Sequence, residues 1–166
     1  SRRQRQMCIR DRRNYSSTIY SSLTSANPDA VWVMQGWMFG YQRNIWDPQS
    51  AEALLSGVPD GRMIVIDLAV DFNRFIWKNR KSWEYLPGMC GKEWIYSTTP
   101  NFGGRTALTG NLESYMNGHI EALESADRGQ MAGYGASPEG IEQNEPVYEV
   151  IADAGWRGER ADLSDF

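Results

Sequence analysis

Short runs of mostly apolar residues recur at regular intervals along the chain. The runs are Ala30–Gln35, Arg62–Leu68, Glu93–Thr98 and Gln130–Tyr134. The first three contain β-branched side chains, and Ala30–Gln35 and Glu93–Thr98 also contain aromatic ones. Ala30–Gln35 is a continuous apolar run, which is typical of a strand buried on both faces of a parallel sheet, and Arg62–Leu68 is predicted to be a second buried strand. Their apolar parts begin near Val31, Met63, Trp94 and Met131, at intervals of 32, 31 and 37 residues. Because this interval fits a strand followed by a crossover helix, the pattern predicts a parallel sheet of about four βα units.

The segments between these runs carry helix signals. Apolar residues at helical spacing and capping residues predict helices at Tyr15–Ser25, directly after Asp47, at Ala107–Ser125 and directly after Asn144. In the second of these helices, Pro48 suits the first helical position and Gly57 is placed to cap the end. The aromatic-rich stretch from Phe72 to Tyr85 is predicted to be largely loop.

Four βα units form either a small open α/β sheet or half of an eight-stranded barrel. Both possibilities are α/β folds, and we expect residues 15–166 to form one domain. In both architectures the residues just beyond the strand C-termini meet on one edge of the sheet, where such folds place their chemistry. Here those residues are Trp37, Asp67, Asn101 and Glu139. The sequence contains no glycine-rich phosphate-binding motif, which argues against a phosphate-cradling site.

Charge is distributed unevenly along the chain. Residues 1–13 contain six arginines and one aspartate, whereas the whole chain has a net charge of −4. The body is therefore acidic, which argues against nucleic acid as a partner. Residues 1–14 show no hydrophobic period and are predicted to be a disordered basic arm. The run Gln6–Arg12 also resembles a translated sequencing adapter, which leads to the hypothesis that the arm is foreign to the native protein.

The sequence predicts neither a metal site nor a cofactor. It has two cysteines, Cys8 and Cys90, and one histidine, His119, with no pair at metal-ligand spacing. We expect His119 to be a solvent-exposed residue on a helix. No apolar run approaches the length of a membrane span, and the N-terminus lacks the apolar core of a signal peptide. A secretory signal, if the protein has one, is expected outside this chain.

Glu139 is the strongest candidate for chemistry. It lies between Pro138 and Gly140, just beyond the fourth predicted strand. Proline fixes its own φ and restricts the residue before it, and Gly140 allows backbone conformations closed to other residues. Such a turn holds the glutamate side chain in a defined direction. The alternative is an ordinary exposed turn.

Several stretches together resemble the α-N-acetylglucosaminidases of glycoside hydrolase family 89. The matching segments are Ala30–Phe39, Met63–Leu68, Asn101–Gly104, Gly133–Glu145 and Ala154–Trp156. Their order and spacing agree with the family, and the resemblance extends over about residues 15–156.

The resemblance implies a retaining exo-glycosidase on a (β/α)8 barrel that needs no cofactor. On this basis we expect residues 15–166 to be a partial (β/α)8 TIM-like barrel domain. The enzyme's substrate would be a glycan with terminal α-linked N-acetylglucosamine, and its location secreted, periplasmic or lysosomal. On the family pattern, Glu139 corresponds to the nucleophile and Trp37 to an aromatic wall of the sugar pocket. The family's acid/base lies in an Asn-Glu motif upstream of the first strand described above, and no such motif occurs before Tyr15. The chain by itself is therefore expected to be inactive.

Some roles remain open at this level. Asp67 and Asn101 either bind sugar hydroxyl or acetamide groups or make structural hydrogen bonds to neighbouring loops. Glu142 and Glu145 are interpreted as carboxylates favoured near a helix start rather than as the missing acid.

Two other functions are compatible with the sequence. One is a non-catalytic carbohydrate-binding α/β module, and the other is a small doubly wound binding domain with a complete sheet. The half-barrel interpretation differs from the last in predicting an exposed sheet edge.

Overall fold

The four predicted strands form one parallel sheet. The computed structural model describes residues 2–104, 111–140 and 144–166. The strands are β1 (Trp32–Gln35), β2 (Met63–Asp67), β3 (Glu93–Thr98) and β4 (Gln130–Ala136). Each strand pairs in parallel with the next. The predicted positions of all four strands are therefore confirmed.

The spatial order of the strands distinguishes the two architectures left open by the sequence. The sheet order is β1-β2-β3-β4, so each new strand is added on the same side of the previous one. A doubly wound sheet reverses its order at a switch point, whereas a (β/α)8 barrel does not. Within the described part of the chain there is no reversal. The sheet is thus a segment of a barrel, and the doubly wound alternative is wrong.

Helices and 3-10 turns connect the strands. The helices are α1 (Arg2–Ala26), α2 (Trp37–Tyr41), α3 (Pro48–Leu55), α4 (Val70–Phe75), α5 (Ser82–Tyr85), α6 (Leu112–Glu124) and α7 (Glu145–Ala154). The 3-10 turns are Pro87–Gly91, Phe102–Gly104 and Leu163–Asp165. The predicted loop between β2 and β3 contains two short helices, α4 and α5. Residues 107–110 of the predicted third helix lie outside the described residues.

The start of α3 agrees with the capping prediction, and its end does not. The carboxylate of Asp47 accepts a hydrogen bond from the Ser50 amide at 2.9 Å, which confirms the N-cap. The C-cap is Ser56 and Gly57 follows it as predicted, but the φ of Gly57 is not in the left-handed region, so the glycine cap is not formed. A Cβ at Gly57 would collide with the hydroxyl of Ser16 in α1. Glycine is present there because two helices approach closely.

The prediction of a disordered N-terminal arm is wrong. Residues 2–14 form the first half of α1. The Arg12 guanidinium lies over the Trp46 ring at 4.4 Å and donates to the carbonyl of Ile45 at 2.8 Å. Ser17 donates to the Gly57 carbonyl at 3.1 Å. These contacts come from distant parts of the chain, which local periodicity does not show. The hypothesis that the arm is foreign stays a prediction.

The two faces of the sheet differ in burial. Met63, Val65 and Asp67 alternate along β2 and are fully buried, on the same face as Trp94 and Tyr96 of β3. The intervening residues, such as Ile66 and Ile95, are only partly buried. A partly covered face is expected of the interior of an incomplete barrel.

The first strand is not buried on both faces as predicted, since Met34 is its one buried residue. Val33 in β1 is 55% exposed, and Val31, just before the strand, is 44% exposed. Among the described strands β1 has a neighbour on one side only. The prediction of burial on both faces is wrong for β1, and the exposed sheet edge predicted for a half-barrel is confirmed.

His119 is buried rather than solvent-exposed as predicted. It lies on α6 with 2% of its surface accessible. Its ring is 4.4 Å from that of Tyr134, and its Nε2 is 3.3 Å from the carbonyl oxygen of Arg157. Burial lowers the pKa of His119 below its ordinary value. The histidine packs α6 against β4 and the C-terminal segment.

Candidate active site

The Pro-Glu-Gly turn follows β4 and is bonded to the exit of β3. The Ser137 amide donates to the carbonyl of Thr98 at 2.8 Å. The hydroxyls of Ser97 and Ser137 are 2.9 Å apart. These bonds extend the β3–β4 pairing by one residue beyond the last registered pair, Thr98 and Ala136. The turn therefore starts from a fixed point on the C-terminal edge of the sheet.

Asn101 braces the turn on both sides of Glu139. Its Oδ1 accepts from the Glu139 amide at 2.8 Å, and its Nδ2 donates to the carbonyl of Gly140 at 3.1 Å. The amide of Gly103 donates to Glu139 Oε2 at 2.7 Å. The Glu139 side chain is exposed, whereas Asn101 is 3% exposed. A buried amide thus fixes the backbone of the turn, and a backbone N–H fixes the carboxylate.

Gly140 is required for space rather than for an unusual backbone angle. A Cβ at this position would lie 2.8 Å from Asn101 Nδ2 and 2.9 Å from the Cα of Gly104. Its φ lies outside the left-handed region, so the conformational freedom that glycine allows is not used here. That conformation occurs instead at Gly103 and Gly104, with φ of 66° and 72°. These glycines shape the loop that contacts Glu139.

Trp37 begins α2, directly beyond β1. Gly36, just before it, donates to the carbonyl of Ile66 at 2.7 Å and accepts from the Ser82 hydroxyl at 2.7 Å. The same hydroxyl accepts from the amide of Gly40 at 3.1 Å. Ser82 therefore clamps the backbone on both sides of Trp37. No sequence pattern indicates a role for Ser82, because it lies in the stretch predicted to be loop.

Aromatic rings connect Trp37 to the neighbourhood of Glu139. We call this group the aromatic cluster, and its members are Trp37, Tyr41, Phe72, Trp77 and Phe102. The Trp77 centroid is 6.0 Å from that of Trp37 and 5.7 Å from that of Phe102. Phe102 lies between Asn101 and Gly103, both of which bond Glu139. The structure thus brings two of the predicted site residues, Trp37 and Glu139, to one region of the sheet edge.

Asp67 lies at the same edge but its side chain is fully buried. Its Oδ2 accepts from the Trp83 amide of α5 at 2.9 Å. Burial raises the pKa of Asp67 to about 7, against the lowering effect of that amide. The alternation along β2 places Asp67 on the same face as Met63 and Val65, which pack in the core. Of the two roles considered for Asp67, this placement corresponds to a structural hydrogen bond to a neighbouring segment rather than to contact with a sugar.

Asp67→Asn is expected to become more stable relative to the wild type as pH rises from about 4 to 7. The folded-state pKa of about 7 exceeds the ordinary 3.8, so unfolded chains ionise in this range while the folded protein holds its proton. The wild type therefore loses stability as pH rises, and the asparagine, which keeps an acceptor for Trp83, does not. The measurement is the difference in melting temperature between the two proteins from pH 4.5 to 7.5.

Asp60→Asn is the matched control for this measurement. Asp60 is exposed, and the Lys92 ammonium holds its pKa below the ordinary value. The stability that the Asp60 carboxylate contributes is therefore lost only below about pH 4. The difference in melting temperature between Asp60→Asn and the wild type should be nearly flat from pH 4.5 to 7.5. A flat difference for Asp67→Asn as well would contradict the expected titration of the buried carboxyl.

Two further carboxylates follow the turn. Glu145 is exposed in the first turn of α7, which confirms its interpretation as a helix-start carboxylate. Glu142 lies outside the described residues. Asn144 occupies the N-cap position of α7 but makes no side-chain capping bond.

Neither a metal site nor a membrane-spanning helix is found in the part of the chain that the structure describes. No three of its histidine, cysteine and acidic side chains come together as a metal site would require. None of the described helices is both long and apolar enough to cross a membrane.

The site combines a fixed, exposed carboxylate with partly buried aromatic rings on the C-terminal edge of a barrel sheet. This combination defines the class of site. Aromatic faces stack on sugar rings, and a positioned carboxylate serves glycoside hydrolysis. The chain matches the family model described as "Alpha-N-acetylglucosaminidase (NAGLU) tim-barrel domain" over residues 4–158. The chain belongs to this family.

Comparisons with individual proteins agree with this assignment. The chain is 37% identical to human alpha-N-acetylglucosaminidase over 142 residues, which cover 86% of the chain and 18% of the human protein. It is similar to a family 89 glycoside hydrolase from Clostridium perfringens, solved in complex with PUGNAc, with a TM-score of 0.71 and 25% identity. That match covers 91% of this chain and 15% of the bacterial one.

A second structure of the Clostridium perfringens enzyme gives the same result. It was solved in complex with 2-acetamido-1,2-dideoxynojirmycin, and it matches with a TM-score of 0.65 and 26% identity over 92% of this chain. The chain spans less than a fifth of the length of the relatives it matches.

Proposed function

We propose that this chain is part of the catalytic barrel of a retaining exo-glycosidase that releases terminal α-linked N-acetylglucosamine from glycans. Glu139 is the nucleophile in this proposal. The observation that supports it most directly is the fixation of Glu139 by three hydrogen bonds at its turn, from the side chain of Asn101 and the amide of Gly103. An ordinary exposed turn does not need a buried asparagine side chain that bonds its backbone at two successive residues.

In the proposed reaction, Glu139 attacks the anomeric carbon as the glycosidic bond breaks. A second carboxyl protonates the departing oxygen and then, as a base, activates the water that hydrolyses the glycosyl-enzyme ester. In retaining enzymes, the two carboxyl groups are about 5–5.5 Å apart. In the family pattern the second carboxyl belongs to an Asn-Glu motif upstream of β1. No such motif occurs before Tyr15, so in this proposal the second carboxyl comes from outside this chain.

The anomeric configuration of the substrate explains why a nucleophile from the protein is required. Some enzymes that act on N-acetylated sugars use the substrate's own acetamide as the nucleophile. That route requires the acetamide and the leaving group to be on opposite faces of the ring. In an α-linked N-acetylglucosaminide they are cis, so the acetamide cannot attack from behind and a carboxylate such as Glu139 must do so.

The remaining predicted residues have supporting roles in this proposal. Trp37 and the aromatic cluster form a wall against which the sugar ring stacks. Asn101 positions Glu139 rather than binding the sugar, because both ends of its amide contact the turn. Asp67 holds α5, and through it Ser82 and the backbone beside Trp37.

The proposal is tested by following hydrolysis of an aryl α-N-acetylglucosaminide by the full-length protein with proton NMR. We expect α-N-acetylglucosamine to form first and to equilibrate afterwards, because two displacements at one carbon restore its configuration. The aryl β-N-acetylglucosaminide is the matched control and should be hydrolysed at background rate. Immediate formation of the β product would contradict retention, and binding of N-acetylglucosamine without hydrolysis would favour a carbohydrate-binding module.

A further inference from the structure

Asp71 is a buried carboxylate on α4, four residues beyond the end of β2, and it is 7% exposed. Its Oδ1 accepts a hydrogen bond from the amide of Thr99 at 2.9 Å. Its Oδ2 accepts from the hydroxyl of Tyr115 on α6 at 3.1 Å. The carboxylate therefore links α4, the exit of β3 and α6.

The bond to Thr99 leads directly to the candidate nucleophile. Thr99 is followed by Pro100 and Asn101, and all three residues are buried. Proline fixes one backbone angle of this short segment, so the position of the Thr99 amide largely determines where Asn101 begins. Asn101 in turn bonds the backbone of Glu139 and Gly140.

We propose that Asp71 is a positioning residue for Glu139, acting through the segment Thr99–Asn101. The inference rests on the proposed function, in which Glu139 is the nucleophile. Asp71 does not contact the reacting atoms. Its role is to hold the Thr99 amide, so that the side chain of Asn101 meets the turn at the correct distance.

The surroundings of Asp71 favour a fixed carboxyl. Lys81, which is 3% exposed, acts on it electrostatically and pairs with Glu121 of α6 at 3.5 Å. The Lys81 ammonium is also 3.4 Å from the hydroxyl of Tyr96 on β3. Burial raises the pKa of Asp71 to about 6, against the lowering effect of the Thr99 amide. A carboxyl held by an amide, a phenol and a nearby cation has little freedom to turn.

The test compares variants of Asp71 in the full-length protein, with an aryl α-N-acetylglucosaminide as substrate. Asp71→Ala removes the acceptor for Thr99, and we expect kcat to fall about 10-fold with KM within about twofold, because small displacements of a reacting group reduce the rate steeply. Asp71→Asn keeps an acceptor and should restore kcat to within about twofold. Tyr115→Phe removes only the bond to Oδ2 and should also stay within about twofold.

Two variants separate positioning from simple loss of stability. Asp71→Leu has no acceptor but keeps most of the volume, and it should reproduce the kcat loss if Asp71→Ala fails to fold. Lys92→Met removes a buried ammonium that bonds Asp60 and the Val58 carbonyl at the opposite end of β3. It should lower the melting temperature and leave kcat unchanged.

The outcomes distinguish this inference from the proposed function. Wild-type kcat in Asp71→Ala or Asp71→Leu would overturn the inference, as would an equal kcat loss in Lys92→Met. If Glu139→Ala remained fully active, the proposed function itself would fail. Loss of kcat in the variants without an acceptor and its recovery in Asp71→Asn would support the positioning role.

Discussion

Replacement of Glu139 by alanine in the full-length protein is expected to lower kcat by at least about 10³-fold, since removal of a nucleophile eliminates the covalent route. The fold should tolerate the change, because the side chain is exposed and the turn is held by backbone bonds to Asn101. The measurement is the initial rate on an aryl α-N-acetylglucosaminide, together with the melting temperature.

Azide provides a second readout for the same variant. A small anion can enter the space of the missing carboxylate and attack the anomeric carbon, so azide should restore part of the rate and yield the β-glycosyl azide. Glu149→Ala removes an exposed carboxylate from α7 and is the matched control, expected to stay within about twofold of the wild type. Undiminished activity in Glu139→Ala would disprove the assignment of the nucleophile.

Asn101→Ala is expected to lower kcat about 100-fold, because misplacement of a reacting group by about 1 Å has an effect of this size. The variant loses the acceptor for the Glu139 amide and the donor to the Gly140 carbonyl together. Substrate binding by the aromatic cluster should persist, so KM should change much less than kcat. Steady-state kinetics of the full-length variant give both quantities.

Asn111→Ala is the control for this change. Asn111 caps α6, where its side chain accepts from the Ser114 amide at 3.0 Å. Loss of the cap should cost about 1 kcal/mol of stability and leave kcat unchanged. If Asn101→Ala lowered the melting temperature as Asn111→Ala does and kept wild-type kcat, Asn101 would have only a structural role.

The strands and their parallel direction were predictable because their signals are local, whereas their spatial order came from the structure. Runs of mostly apolar residues mark β1 to β4, with β-branched side chains in the first three, and the spacing of about 30 residues indicates parallel crossovers. The convergence of Trp37 and Glu139 at one sheet edge follows from the same parallel order. The burial of Asp67 was not predictable, because the sequence does not show which face of β2 packs in the core with Met63 and Val65.

Other features depend on contacts between distant residues. The helical N-terminal segment is stabilised by Arg12 on Trp46, which lies 34 residues away in the sequence. The role proposed for Asp71 depends on its hydrogen bond from the Thr99 amide, 28 residues away in the sequence. Gly140 is needed because Asn101 and Gly104 approach it. No local pattern distinguishes such a glycine from one required by an unusual backbone angle.

The hydrogen bond from Gly103 makes the two oxygens of Glu139 inequivalent. Oε2 accepts the amide at 2.7 Å, so negative charge on the carboxylate is favoured over a neutral ester. On the proposed mechanism, this preference slightly opposes formation of the glycosyl-enzyme and makes Glu139 a better leaving group when water arrives. The loop after β3 would thus shorten the lifetime of the covalent intermediate.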